Sequence, residues 1–261
     1  MDEAPPTLPE IVELPPALPV RPSGPWNAWI TLALSVAVET AVILTQTVLL
    51  SIVFYQQVLQ GRHPDYRQLA YDGDMLAWAT MLTVPVGVGL CVLFARLRRG
   101  PDLRDYLALR SFGWGHLGLG VGLLIAIELV FGALQTWLEH PENTEMLQVY
   151  QSATWPGFLL VAVIFAAPLQ EEVLFRGFMW RGLAASRLGW FGASVICSAG
   201  WTLLHVQYDW VEMLDIFVLG LLLGWLRQRS GSIWLPMMVH SLNNLAASAS
   251  MLWFLQEKAA S

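Results

Sequence analysis

GFLLVAVIFAAPLQEEVLFRGFMW, residues 157–180, is a long apolar run that carries two glutamates and an arginine near its end. Its length points to the fold class, because an α-helix needs about 20 apolar residues to cross the hydrocarbon core of a bilayer. Its charges pose the functional question. An ionised side chain at the centre of such a helix costs about 2.5–3.5 kcal/mol, so Glu171, Glu172 and Arg176 each need a partner, a proton or a task. Glu172 and Arg176 stand at i and i+4, share a face and can form an intrahelical ion pair. Glu171 lies about 100° further round. It is left without a partner in its own helix.

The rest of the chain has the same character. Of its 261 residues 56% are hydrophobic and 13% charged, against about 25% charged in an ordinary soluble domain. Seven apolar runs, roughly 29–55, 75–95, 112–137, 157–180, 190–207, 210–226 and 232–255, predict an all-α, polytopic transmembrane helix bundle. Trp26, Trp29, Trp137, Trp155, Trp190, Trp210, Trp234 and Trp253 fall near the ends of these runs, as interfacial anchors do. Arg96, Arg98, Arg99, Arg104 and Arg110 follow the second run, Arg181 and Arg187 the fourth, and Arg227 and Arg229 the sixth. Positive residues favour the cytoplasmic side, so the N-terminus is expected to be cytoplasmic in a multi-pass integral membrane protein.

Residues 1–25 differ in kind. They hold eight of the fifteen prolines, with Asp2, Glu3, Glu10 and Glu13, and read as an extended, disordered acidic tail. Residues 26–155 are expected to form N-terminal transmembrane helices and 156–255 a catalytic core. Cys91 and Cys197 both sit in apolar runs, which suggests neither a disulfide framework nor a zinc knuckle. No basic patch interleaved with aromatics appears, so nucleic acid is not an expected partner.

Further polar residues interrupt the apolar runs. Glu39 and Glu128 read as isolated carboxyls hydrogen-bonded between helices. Gly220 and Gly224 form a GxxxG, and Gly118, Gly120 and Gly122 line the third run; both read as close helix packing. The fifth run ends in WTLLHV, with His205 one turn after Trp201, and the seventh contains MMVHSLNN, with Asn244 one turn after His240. Polar residues on membrane helices face bundle interiors or water-filled cavities. A carboxylate beside a neutral imidazole can take a proton from water. A second histidine and an amide can donate to a developing oxyanion. That set suits amide hydrolysis without a covalent intermediate. Glu171, His205 and His240 equally form a three-ligand set for catalytic zinc, although HExxH is absent.

At these residues the chain resembles the CAAX prenyl protease and bacteriocin-processing (CPBP, or Abi) family of intramembrane endopeptidases. The resemblance rests on EExxxR at Glu171, Glu172 and Arg176, on an aromatic–xxx–His at Trp201 to His205, and on HxxxN at His240 to Asn244. It extends along FVLGLLLGWLRQRSGSIWLPMMVHSLNN and covers roughly residues 156–255. It implies that Glu171 is the general base on water, assisted by His205, that His240 and Asn244 form the oxyanion site, and that Glu172 and Arg176 hold Glu171 in place. The implied mechanism needs no cofactor; zinc on Glu171, His205 and His240 is the alternative. Two departures stand out. The second motif usually begins with phenylalanine, where this chain has Trp201, and family members often have eight spans rather than seven.

The expected activity is hydrolysis of a peptide bond in a lipidated, CAAX-type protein or a hydrophobic peptide, with the lipid bilayer as surroundings. A non-catalytic immunity or scaffold protein, binding a bacteriocin or membrane partner, would use the polar cluster for packing. A proton-coupled transporter ranks below both, since no inverted repeat or pair of interrupted helices appears.

Overall fold

The computed structural model describes residues 24–98, 100, 102–139 and 145–260. The expected acidic tail, up to residue 23, lies outside the described residues. Within them the chain is helical and contains no strand. The helices are α1 (Ala28–Leu59), α2 (Tyr66–Ala70), α3 (Gly73–Leu97), α4 (Leu103–Tyr106), α5 (Trp114–Trp137), α6 (Glu145–Ser152), α7 (Pro156–Ala184), α8 (Gly189–Leu203), α9 (Trp210–Ser230) and α10 (Trp234–Ala260).

Short polar side chains set several of the boundaries. Asn27 caps α1 by accepting the Ile30 N–H at 3.0 Å, and Asp72 caps α3 by accepting that of Met75 at 3.0 Å. Asp209 and Glu212 form a reciprocal capping box at the start of α9, which satisfies orphan N–H groups of the first turn. Gly231 ends α9 at φ 65°, a left-handed cap that glycine adopts without a Cβ penalty.

Among the described residues, α1, α3, α5 and α7 are long and apolar enough to cross a membrane. The other three long helices fall short for different reasons. α8 has 15 residues, about 22 Å at 1.5 Å per residue, against a hydrocarbon core of about 30 Å. α9 carries Glu212, Asp215, Arg227 and Arg229, and α10 mixes its apolar residues with Ser241, Asn243, Asn244, Ser248 and Ser250.

α7 sits at the centre, packed against α1, α3, α8, α9 and α10. One apolar core joins its Phe175, Phe178 and Leu183 to Val38 of α1, Cys91 of α3, Leu124 of α5, Cys197 and Trp201 of α8, Leu223 and Leu226 of α9 and Val239 of α10. The expected GxxxG packing is present. A Cβ at Gly220 would lie 2.8 Å from Ser198 Oγ, and one at Gly224 would lie 2.6 Å from Ser194 Oγ. The α5 glycines behave differently from one another. Gly120 packs on Val239 and Leu226, whereas Gly118 and Gly122 have nothing within 4 Å of a Cβ.

α7 is not a regular helix. Ala162–Ala166 and Val173–Met179 are π-helical. The Ala167 N–H bonds to the Ala162 carbonyl, and the Trp180 N–H to that of Phe175, each reaching back five residues instead of four. Pro168 accounts for the position of the first π segment. It has no N–H to give the carbonyl of Ile164, and its ring would collide with that carbonyl in a regular α-helix.

Two expectations need correction. The fifth run was expected to be helical through residue 207, but α8 stops at Leu203 and His205 lies in the turn that follows. The reason is a competition for one acceptor. The Trp201 carbonyl takes the Leu204 N–H at 3.1 Å and His205 Nδ1 at 2.9 Å, so it is lost to the α-helical ladder. Arg227, expected in a basic loop, is inside α9 and only 5% exposed.

Candidate active site

The EExxxR segment spans the end of the regular middle of α7 and the start of its second π segment, so the helix turns Glu171 and Glu172 toward different neighbours. Glu172 is fully buried. Its Oε1 accepts Arg176 Nη1 at 2.8 Å and His240 Nδ1 at 3.1 Å. The intrahelical pair read from the i,i+4 spacing is therefore present, and α10 adds a third member that the spacing could not show. Arg176 is equally buried. Its Nη2 donates to the Gly220 carbonyl of α9 at 3.2 Å, and its Cζ lies 4.7 Å from the centre of the Trp201 ring.

Glu171 is the accessible member, with 22% of its side chain exposed. It is not without a partner. Its Oε2 accepts the indole Nε1–H of Trp201 at 2.5 Å, and His240 Nε2 stands 3.9 Å from the same oxygen. That separation is too long for a hydrogen bond and suits one bridging water. Glu39, read as isolated, is brought by α1 within electrostatic reach of Glu171; Glu128 of α5 is likewise within reach of Asp215 of α9. Sequence reading placed neither carboxylate near another because the contacts join distant helices.

The histidine tautomers follow from their acceptors. A carbonyl cannot donate, so His205 Nδ1 carries the proton that bonds Trp201 O, and Nε2 is left as an acceptor in the neutral ring. His240 similarly gives Nδ1–H to the Glu172 carboxylate, which leaves Nε2 facing Glu171. Trp201 is almost fully buried and meets both imidazoles edge-on, with ring centres 5.3 Å from His205 and 5.0 Å from His240. His205 also stacks on Tyr208 at 6.0 Å.

Asn244 faces α7 as well. Its Nδ2 donates to the Val163 carbonyl at 2.9 Å, in the first π segment, so one of its two amide protons is already engaged. Sequence reading missed both Val163 and Arg227 as neighbours of the site. Arg227 had a signal, since Gly220, Gly224 and Arg227 at i, i+4 and i+7 share one helix face.

Among the described residues, no group of three or more His, Cys, Asp and Glu side chains is placed to hold a metal ion. His205 Nδ1 and His240 Nδ1 are engaged by Trp201 and Glu172, which leaves Nε2 of each neutral ring with a lone pair to offer.

Residues 153–246 match the family model described as type II CAAX prenyl endopeptidase Rce1-like. The family resemblance of the three motifs is thereby shown over that segment. The match takes in α7, α8, α9 and the first half of α10, hence Glu171, Glu172, Arg176, Trp201, His205, His240 and Asn244. Over 156 residues the chain is also 29% identical to an uncharacterized 24.3 kDa protein of Escherichia coli, covering 58% of this chain and 70% of that one. No solved structure matches significantly. Together with the four membrane-length apolar helices, the match supports an integral membrane protein whose residues 153–246 are similar to the CAAX endopeptidases.

Proposed function

We propose that this chain is an intramembrane endopeptidase that cleaves a lipidated, CAAX-type protein or a hydrophobic peptide, using a water activated by Glu171. The observation that carries the reading is the approach of Glu171 Oε2 and His240 Nε2 to 3.9 Å, across a gap between α7 and α10 that one water can bridge. In this reading Glu171 takes a proton from that water while the oxygen attacks the scissile carbonyl carbon. The C–N bond then breaks, and the proton passes to the leaving amine. His205, with Nε2 as an acceptor, assists the transfer. The second amide proton of Asn244, and His240 when Nε2 is protonated, stabilise the oxyanion. Glu172 and Arg176 keep His240 and the α7 backbone in register. In this reading α9 and α10 also cross the membrane, the shorter α8 does so by local thinning of the bilayer, and the N-terminus is cytoplasmic.

The test uses the full chain in liposomes with a farnesylated CAAX peptide and with hydrophobic peptides that lack lipid. Glu171→Gln is expected to lower kcat by about 10²–10⁴, the usual contribution of a general base, with an unchanged melting temperature. Cleavage by the unaltered protein is expected to survive chelators. Full activity of E171Q would remove Glu171 as the base.

A second reading, a non-catalytic immunity or scaffold protein, is favoured by a specific feature. The polar cluster bonds largely to itself, through Trp201 to Glu171, His240 to Glu172 and Asn244 to Val163. That reading expects E171Q to lower thermal stability and to leave partner binding intact.

A further inference from the structure

The two π segments of α7 bracket the EE pair, and each is held from outside by a different helix. In a regular α-helix the Val163 carbonyl would accept the Ala167 N–H, and the Arg176 carbonyl would accept the Trp180 N–H. Both donors instead reach back one residue further, to Ala162 and Phe175. Side chains take the two carbonyls they leave. Asn244 of α10 donates to Val163 O at 2.9 Å, and Arg227 of α9 donates Nε–H to Arg176 O at 3.0 Å.

Asn244 belongs to the motifs already described. Arg227 does not. It is buried, its Cζ lies 4.7 Å from the centre of the Trp180 ring, and Trp180 Nε1 in turn donates to Ser194 Oγ at 3.1 Å. Ser194 is the residue against which Gly224 packs. The guanidinium is therefore fixed by stacking, by its carbonyl bond and by the close α8–α9 contact beneath it.

We propose that Arg227 is a positioning residue for the active site, selecting the π register of Val173–Met179 by occupying the carbonyl that the α register would need. This inference rests on the endopeptidase reading for its kinetic consequence alone. Return of that segment to α geometry removes one residue from the helical phase, a rotation of about 100° between the parts on either side. Glu172 and Arg176 stay one turn apart in either register, but the turn that carries Glu171 and Glu172 would shift against the buried Trp180 and Leu183, and Glu172 would lose the arrangement that holds His240 Nδ1. The role requires the fork geometry of arginine. Lysine keeps the charge but has no Nε–H to direct at a carbonyl and no plane to stack on Trp180.

The experiment compares the full chain with Arg227→Met and Arg227→Lys in the same detergent. Cleavage kinetics are one arm, and the ¹⁵N-edited imidazole resonances of His240, assigned with His240→Gln, are the other. The expected result is a fall in kcat of about 10- to 100-fold with KM unchanged within about two-fold, as for a misplaced catalytic group. The His240 Nδ1–H resonance is expected to move in both variants, and Lys is not expected to restore either property. A residue with only a packing role would lower the folded fraction while leaving kcat and the His240 resonance of the folded protein unchanged. That outcome overturns the proposal. If R227M does not fold, R227K decides by the same two readouts. Absence of cleavage by the unaltered protein would sink the endopeptidase reading, whereas the resonance arm still decides the positioning role.

Discussion

α1 and α7 are both long apolar helices, yet they treat their polar groups in opposite ways. In the most apolar stretch of α1 only 11% is buried within the protein, against 50% for α7. Along α1, Ser35, Thr40, Thr45, Thr47 and Ser51 each return their hydroxyl to the carbonyl four residues before. α7 does the reverse. Beside the Glu172–Arg176 pair within it, its carboxylates and two of its carbonyls are reached from α8, α9 and α10. The difference follows from surroundings. A lipid-facing helix must satisfy its own polar groups, whereas irregular backbone and charge persist where protein encloses them.

The contrast can be broken most severely at Arg176. Arg176→Met leaves Glu172 buried with His240 as its remaining partner, an expected loss of about 3–5 kcal/mol, with activity lost alongside. Unfolding in detergent would measure it, and an unchanged midpoint would mean that α7 does not depend on the ion pair. Trp201→Phe gives a smaller and more selective effect. It removes a hydrogen bond to a carboxylate, about 1.5–3 kcal/mol, and keeps an aromatic ring where the resembled family usually has phenylalanine. Stability is expected to fall while cleavage persists; loss of cleavage at full stability would make the indole N–H part of the chemistry.

Gly224→Ala tests the enclosure itself. Its Cβ would meet Ser194 Oγ at 2.6 Å, and overpacking of this kind costs about 1–3 kcal/mol. A neutral result would show that α8 and α9 can separate without disturbing Arg227. The smallest effect is expected on α1, where Thr47→Val removes an exposed hydroxyl that bonds only its own helix. Its change in stability should stay within about 0.5 kcal/mol, and a larger one would place that face of α1 against protein.

Much of the bundle was legible because apolar run length is a local property. The expected runs and the observed helices agree to within a few residues over most of the chain. The overrun at residue 207 shows the limit, since a side chain's competition for a backbone carbonyl is not visible in hydropathy. The same holds at Arg227. Counted as a loop charge, it is a buried residue whose partner is a main-chain atom 51 positions earlier.

The sequence by itself determined an all-helical membrane protein, the Glu172–Arg176 pair and the three motifs, because each depends on composition or on spacing within one helix. Tertiary structure alone decided that His240 binds Glu172 as well as facing Glu171, that Trp201 holds Glu171, and that Asn244 and Arg227 take the carbonyls left by the two π segments. Those contacts join residues from separate helices, and helical periodicity assigns a side chain to a face without saying which helix that face will meet.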